Sequence, residues 1–299
     1  MPRARRAGRA ASAVAAVVAV LALAACSTGG SGANGAEDAL AATAVDGLSV
    51  EVRQGRFDVP DRVLVVSFAN DGGERVVIER AEVVSPALEP GMERTRPIEL
   101  DPGDRLDARF PLTGSVCDAR PDTTIEVLVH RDHGDEPEGA RAALVPDDPF
   151  DTMARIADRD CLAESVAAAA AIVLPERLRV SGTGADARAV IDVRVEPRPS
   201  GDAALGIDRV LGTTLIGSEA GGSWPVGIEV AAGDAPVTVE LPVRPARCDA
   251  HAIADDKRGT ILPFEVTTSD GRAGALELPS GDALKADLYA YYGERCGLD

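Results

Sequence analysis

The tripeptide Cys-Asp-Ala occurs twice, at Cys117-Asp118-Ala119 and at Cys248-Asp249-Ala250, and it is the last in a series of matched landmarks. Ile78-Glu79-Arg80 corresponds to Ile207-Asp208-Arg209, Gly103-Asp104 to Gly233-Asp234, and Phe110-Pro111-Leu112 to Leu241-Pro242-Val243. The matches keep their order at a spacing of about 130 residues, which is the mark of an internal duplication. A chain built this way folds as two related units, each of ordinary domain size.

The cysteines follow the same division. Of five in the chain, Cys26 stands apart near the N-terminus, and the rest fall as Cys117 and Cys161 in one half, Cys248 and Cys296 in the other. Four cysteines allow three pairings. Only Cys117 with Cys161 and Cys248 with Cys296 gives two equivalent halves, and paired thiols imply an oxidising compartment.

The first residues explain the odd cysteine. Arg3, Arg5, Arg6 and Arg9 precede an uncharged Ala-, Val- and Leu-rich run from Ala10 to Ala25, the basic and apolar parts of an export signal. The run is shorter than the roughly 20 residues that span a bilayer, and it ends in Leu23-Ala24-Ala25-Cys26. That tetrapeptide resembles the lipobox of bacterial lipoproteins. The resemblance implies cleavage before Cys26, acylation of Cys26, and attachment to the outer face of the cell membrane, where two acyl chains anchor stably and one is marginal. Arg5-Arg6 leaves the export route, general or twin-arginine, open. Ser27 to Ala36 is Gly, Ser and other small residues, a flexible tether that holds the folded part roughly 20 Å from the bilayer. The only lysines are Lys257 and Lys285, against abundant Ala, Arg, Asp, Gly and Val. In this the chain resembles lipoproteins of high-GC Gram-positive bacteria, a resemblance of organisation that brings no activity with it.

Beyond the tether the pattern is mostly strand. Leu48 to Val52, Arg62 to Phe68, Arg75 to Val84, Arg105 to Leu112 and Thr124 to Val129 are rich in β-branched and aliphatic residues with partial alternation. Turn clusters such as Asn70-Asp71-Gly72-Gly73 separate them. The second half repeats this at Leu178 to Val180, Ala189 to Val195, Leu205 to Leu215, Val226 to Val230, Val237 to Val243 and Leu262 to Thr267. Short strands at this spacing predict two tandem antiparallel β-sandwiches of immunoglobulin type. Each is expected to close with a short helix: the first capped by Asp148 with Pro149 at its first position and Phe150, Met153 and Ile156 on one face, the second with Leu284, Leu288 and Tyr291 on one face and Gly293 at its end. The Ala-rich run Val166 to Leu174 could extend the first closing helix or start the first strand of the second half, and the strand is the expected reading. The expected division is a signal peptide at 1–25, a lipidated tether at 26–45, and sandwiches at 46–165 and 166–299.

Known catalytic signatures are missing. There is no G-x-S-x-G, no phosphate-cradling G-x-x-x-x-G-K-S/T and no H-E-x-x-H, and the expected disulfides leave no thiolate. The expectation is a protein that is not an enzyme and has no cofactor. Two segments still carry chemistry. His130 and His133, with Asp132 and Asp135, have the residue types of a zinc or copper site; an ordinary polar turn has the same composition. After Cys248, the groups Asp249, His251, Asp255, Asp256, Lys257 and Arg258 could surround a small ligand or a partner's loop. Alternatively Asp118 and Asp249 cap the turn after each cysteine, and Trp224 and the tyrosines Tyr289, Tyr291 and Tyr292 read as packing residues.

The formal net charge is −18, with four of the basic residues in the leader. Nucleic acid is therefore not an expected partner. The reading is a lipid-anchored, non-catalytic binding or scaffold protein with a surface protein or small ligand as partner; the alternative is a solute- or metal-binding accessory lipoprotein of a transporter.

Overall fold

A computed structural model describes residues 45–131, 139–249, 251, 253 and 258–298. The first half runs β1 (Leu48–Arg53), β2 (Val63–Asn70), β3 (Val76–Val84), β4 (Met92–Arg94), β5 (Ile98–Leu100), β6 (Arg105–Pro111), β7 (Thr124–Arg131) and β8 (Ala140–Leu144), then helix α1 (Thr152–Ala169). The second runs β9 (Ala170–Val173), β10 (Arg179–Ser181), β11 (Arg188–Pro197), β12 (Ala204–Val210), β13 (Ile216–Ser218), β14 (Trp224–Ala231), β15 (Val237–Pro245), β16 (Ile261–Thr268) and β17 (Ala273–Pro279), then α2 (Asp282–Cys296).

Each half is a two-layer antiparallel sandwich with the same wiring. In the first, β1-β2-β6 faces β4-β3-β7-β8, with β5 also on β3; in the second, β10-β11-β15-β13, with β9 also on β11, faces β14-β12-β16-β17. The first, second and fifth main strands form one layer and the third, sixth and seventh the other, which is the arrangement of an immunoglobulin-type sandwich. Alternating residues fill each core: Val50, Val52, Phe68, Ile78, Phe110 and Ile125 in the first, Ile191, Val193, Ile207, Val243, Phe264 and Val266 in the second.

The repeated landmarks mark backbone devices. Strand β3 shifts register between Ile78 and Arg80 against β7, and β12 does the same between Ile207 and Arg209 against β16. Ile-acidic-Arg is thus the sequence of a β-bulge, which sharpens the local twist. The Gly-Asp pair forms the turn before β6 and before β15. Gly103 and Gly233 have φ of 87° and 90°, a region that favours glycine. The following Asp104 and Asp234 each accept a hydrogen bond, from the Asp101 N–H (3.0 Å) and the Ala231 N–H (2.8 Å).

The disulfides join Cys117 to Cys161 and Cys248 to Cys296. Each ties the loop after the fifth main strand to the closing helix. In the second half Tyr292, one helical turn before Cys296, adds to this: its hydroxyl donates to the Arg247 carbonyl and accepts from the Asp249 N–H at 3.2 Å. Trp224 and Tyr291 are buried, with the indole N–H on the Pro242 carbonyl at 2.7 Å and the phenol on the Val243 carbonyl at 2.9 Å.

Both helices differ from the sequence reading. Phe150 lies outside α1 and is 60% exposed. Asp148 does accept from the first helical N–H groups, Thr152 (2.7 Å) and Met153 (2.9 Å), but from before the helix, so Pro149 is not its first residue. Helix α2 passes through Gly293 and stops at Gly297, φ 61°, where Leu298 N–H bonds Gly293 O and Gly297 N–H bonds Glu294 O; this is the paired bonding of a Schellman end. The expected strand Leu205 to Leu215 breaks after Val210, and Ile216–Ser218 crosses to the other layer.

The largest difference lies between the halves. Val166 to Ala169 is helical, and β9 begins at the next residue. Met153 and Ile156 of α1 pack into the first core, while Leu162, Val166 and Ala169 pack into the second. Alanine is the best helix former, so the Ala-rich run extends the helix until β11 recruits it as a strand. Around this shared helix, Arg272 of the β16–β17 turn pairs with Asp118 (2.6 Å) beside Cys117, and Ser165 of α1 bonds Asp270. Asp270 is held down to about 2, first by the Ser165 hydroxyl and then by Thr268.

Candidate functional site

The described members of the charged segment after Cys248 do not converge. The Asp249 carboxylate accepts from the His251 N–H at 2.9 Å, closing a local turn, and His251 is exposed. Arg258 bonds Glu277 on β17. Asp255, Asp256 and Lys257 lie outside the described residues. The two Cys-Asp-Ala motifs therefore do different work: Asp249 closes a turn, whereas Asp118, φ 66°, reaches Arg272 across the junction.

The histidine cluster is equally divided. His130, on β7, holds its Nδ1 3.5 Å from Glu79, the bulge residue of β3; His133, Asp132 and Asp135 are outside the described residues. Among the described residues no group of three or more His, Cys, Asp or Glu is placed to hold a metal ion.

A groove of about 500 Å³ lies beside the Cys248 segment, and composition alone did not point to it. Its walls are the Leu211–Ser223 excursion, including β13, and the end of β15 at Arg244 and Ala246. Thr213 builds the excursion: its hydroxyl oxygen accepts from the Leu215 (3.2 Å) and Ile216 (3.1 Å) N–H groups and donates to the Gly259 carbonyl at 2.6 Å, joining the groove to the segment after Cys248. Side chains would close it: a methyl on Gly212 would meet the Gly222 carbonyl oxygen at 2.2 Å. Glycine backbone, the hydroxyls of Thr213, Ser218 and Ser223, and the apolar residues Leu211, Ile216 and Ala246 share the lining. Arg244 is the charged side chain among the lining residues, opposite Gly217 in the β13–β15 register and exposed. A guanidinium over a floor of backbone and hydroxyl groups suits a planar anion such as a carboxylate. The clue in the sequence was the run Gly217, Gly221, Gly222, with Gly212 inside the expected strand Leu205 to Leu215; the fold brings Arg244 against them.

Among the described residues no helix is long and apolar enough to cross a membrane. No family model matches the chain, and no sequence match to a characterised protein was found. Among solved structures, red sea bream transglutaminase matches 79% of this chain at 11% identity and a TM-score of 0.25. This chain covers 31% of the length of that enzyme. The calcium-binding domain CBD12 of CALX1.1 matches 75% of this chain and 78% of its own length at 10% identity and a TM-score of 0.20. The Salmonella enterica SafA pilin in complex with the SafB chaperone matches 73% and 88% at 11% identity and a TM-score of 0.19.

Proposed function

We propose that this chain is a lipid-anchored protein of the outer face of the cell membrane that binds a partner without catalysing a reaction. The observation that carries the reading is the basic, apolar leader ending in Leu23-Ala24-Ala25-Cys26, followed by a Gly- and Ser-rich tether. The fold supports it in a second way: it is two disulfide-tied sandwiches that share one helix, an architecture suited to display. Fractionation with mass spectrometry of the N-terminal peptide tests the anchor. The wild-type chain is expected in membranes with a doubly acylated Cys26, and Cys26→Ser in the soluble fraction; an unmodified N-terminus in the medium would overturn the reading.

The groove beside Arg244 favours a second reading, an accessory protein that captures a small anionic solute for a transporter. Calorimetry with inorganic phosphate and with a short-chain dicarboxylate separates the two. Binding lost in Arg244→Ala supports solute capture, and no heat from either compound removes it.

A further inference from the structure

Strand β8 is the last strand of its layer. Ala142 and Leu144 pack against the first core, which turns Gly139, Arg141, Ala143 and Val145 outward. Arg141 and Ala143 are exposed, and Val145 is 83% exposed, the most of any large apolar side chain described. The corresponding strand of the second half, β17, ends in Pro279, which has no N–H to offer a further strand.

The outward row on β8 alternates small and large: Gly139, Arg141, Ala143, Val145. Antiparallel pairing with an identical strand about Ala142 sets each large residue opposite a small one, Arg141 against Ala143 and Val145 against Gly139. Charge agrees with shape. Glu93, Glu82, Glu126 and Ala143 lie opposite one another across β4, β3, β7 and β8, and like charges in directly opposed positions repel. Arg80 neutralises Glu82 (3.2 Å) and Glu93 (2.6 Å). Glu126, nearest the edge, has no ion-pair partner among the described residues, and neither has Arg141. Between Glu126 and the edge, over Ala143, is a concavity of about 380 Å³ that Glu82, Leu128 and Arg141 also line. An arginine arriving opposite Ala143 would enter it and meet Glu126.

We propose that the β8 edge is a self-complementary interface through which two copies of this chain pair antiparallel about Ala142, each copy's Arg141 reaching the other's Glu126. Strand addition of this length buries little area, below the roughly 1,200 Å² of small specific interfaces, so the pairing is weak in solution. Confinement to a surface strengthens it.

Sedimentation equilibrium of the full chain in density-matched detergent tests the proposal. The wild type is expected to form a concentration-dependent dimer, Arg141→Glu to weaken it by about tenfold or more through repulsion from Glu126, and Arg141→Glu/Glu126→Arg to restore it to within about threefold. Because all these side chains are exposed, thermal melts are expected to stay unchanged. A wild-type chain that is monomeric up to about 1 mM, a dimer indifferent to Arg141→Glu, or a double variant that fails to recover would each overturn it. None of these results depends on whether Cys26 carries lipid.

Discussion

Asp158→Pro is expected to split one cooperative thermal transition into two and to lower the stability of the chain by about 3 kcal/mol or more. Asp158 is exposed on α1, so its side chain contributes little; what the substitution removes is a helical hydrogen bond at the point between Ile156 and Leu162. Those residues belong to different cores. In the native chain, unfolding either sandwich strips packing from the helix of the other, which couples the two. A proline there leaves the N-terminal turns docked through Met153 and Ile156 and the C-terminal turns docked through Leu162 and Val166, with the rigid path between them gone. Differential scanning calorimetry reads the result directly. A single sharp transition in the variant, shifted by less than about 1 kcal/mol, would mean that the helix does not couple the halves.

Removal of the first disulfide by Cys117→Ser/Cys161→Ser is expected to cost about 4 kcal/mol in the chain-entropy account, since the cross-link closes a separation of 44 residues. A second consequence concerns pH. Without the sulfur bridge, the loop after β6 is held to α1 chiefly by Asp160, whose carboxylate takes hydrogen bonds from Ser115 at 2.9 Å and Arg62 at 2.9 Å. Burial pushes the Asp160 carboxyl up, but the Arg62 and Ser115 hydrogen bonds outweigh it and hold the group below the ordinary aspartate value. A depressed folded value means that the stabilisation is complete above the unfolded value of about 3.9 and disappears as pH falls through the folded one. The doubly substituted chain should therefore lose stability more steeply on acidification below about pH 4 than Cys117→Ser/Cys161→Ser/Asp160→Asn does. Urea titrations across that range compare them, and parallel curves would remove Asp160 from the account.

The duplication made the fold legible. Gly-Asp and Ile-acidic-Arg recur because the same turn and bulge recur, and Cys-Asp-Ala recurs because each half ties the loop after its fifth main strand to its closing helix. The strands with strong aliphatic patterning, such as Val63–Asn70 and Arg188–Pro197, were visible for the same reason. Strands β8 and β17 were not, because Ala-Arg-Ala-Ala-Leu and Ala-Gly-Ala-Leu-Glu-Leu-Pro lack β-branched residues and owe their conformation to pairing with β7 and β16. The helical fate of Val166 to Ala169 was hidden too: alanine next to valine fits helix or strand, and the deciding contacts come from the second core. The groove beside Arg244 was least legible of all. Its floor is main chain, and main-chain atoms leave no signature in a sequence.

Helix α1 also sets a constraint on how the chain is made. Synthesis delivers residues from the N-terminus onward, so the first sandwich and all of α1 emerge before β12, β16 and β17 do. Until those strands arrive, Leu162 and Val166 have nothing to bury them and stand as an apolar stripe on a nascent helix already fixed at its other end by Met153 and Ile156. The half-made protein is therefore sticky at one defined place, and slow or interrupted synthesis would invite aggregation there, whereas the finished chain buries that stripe.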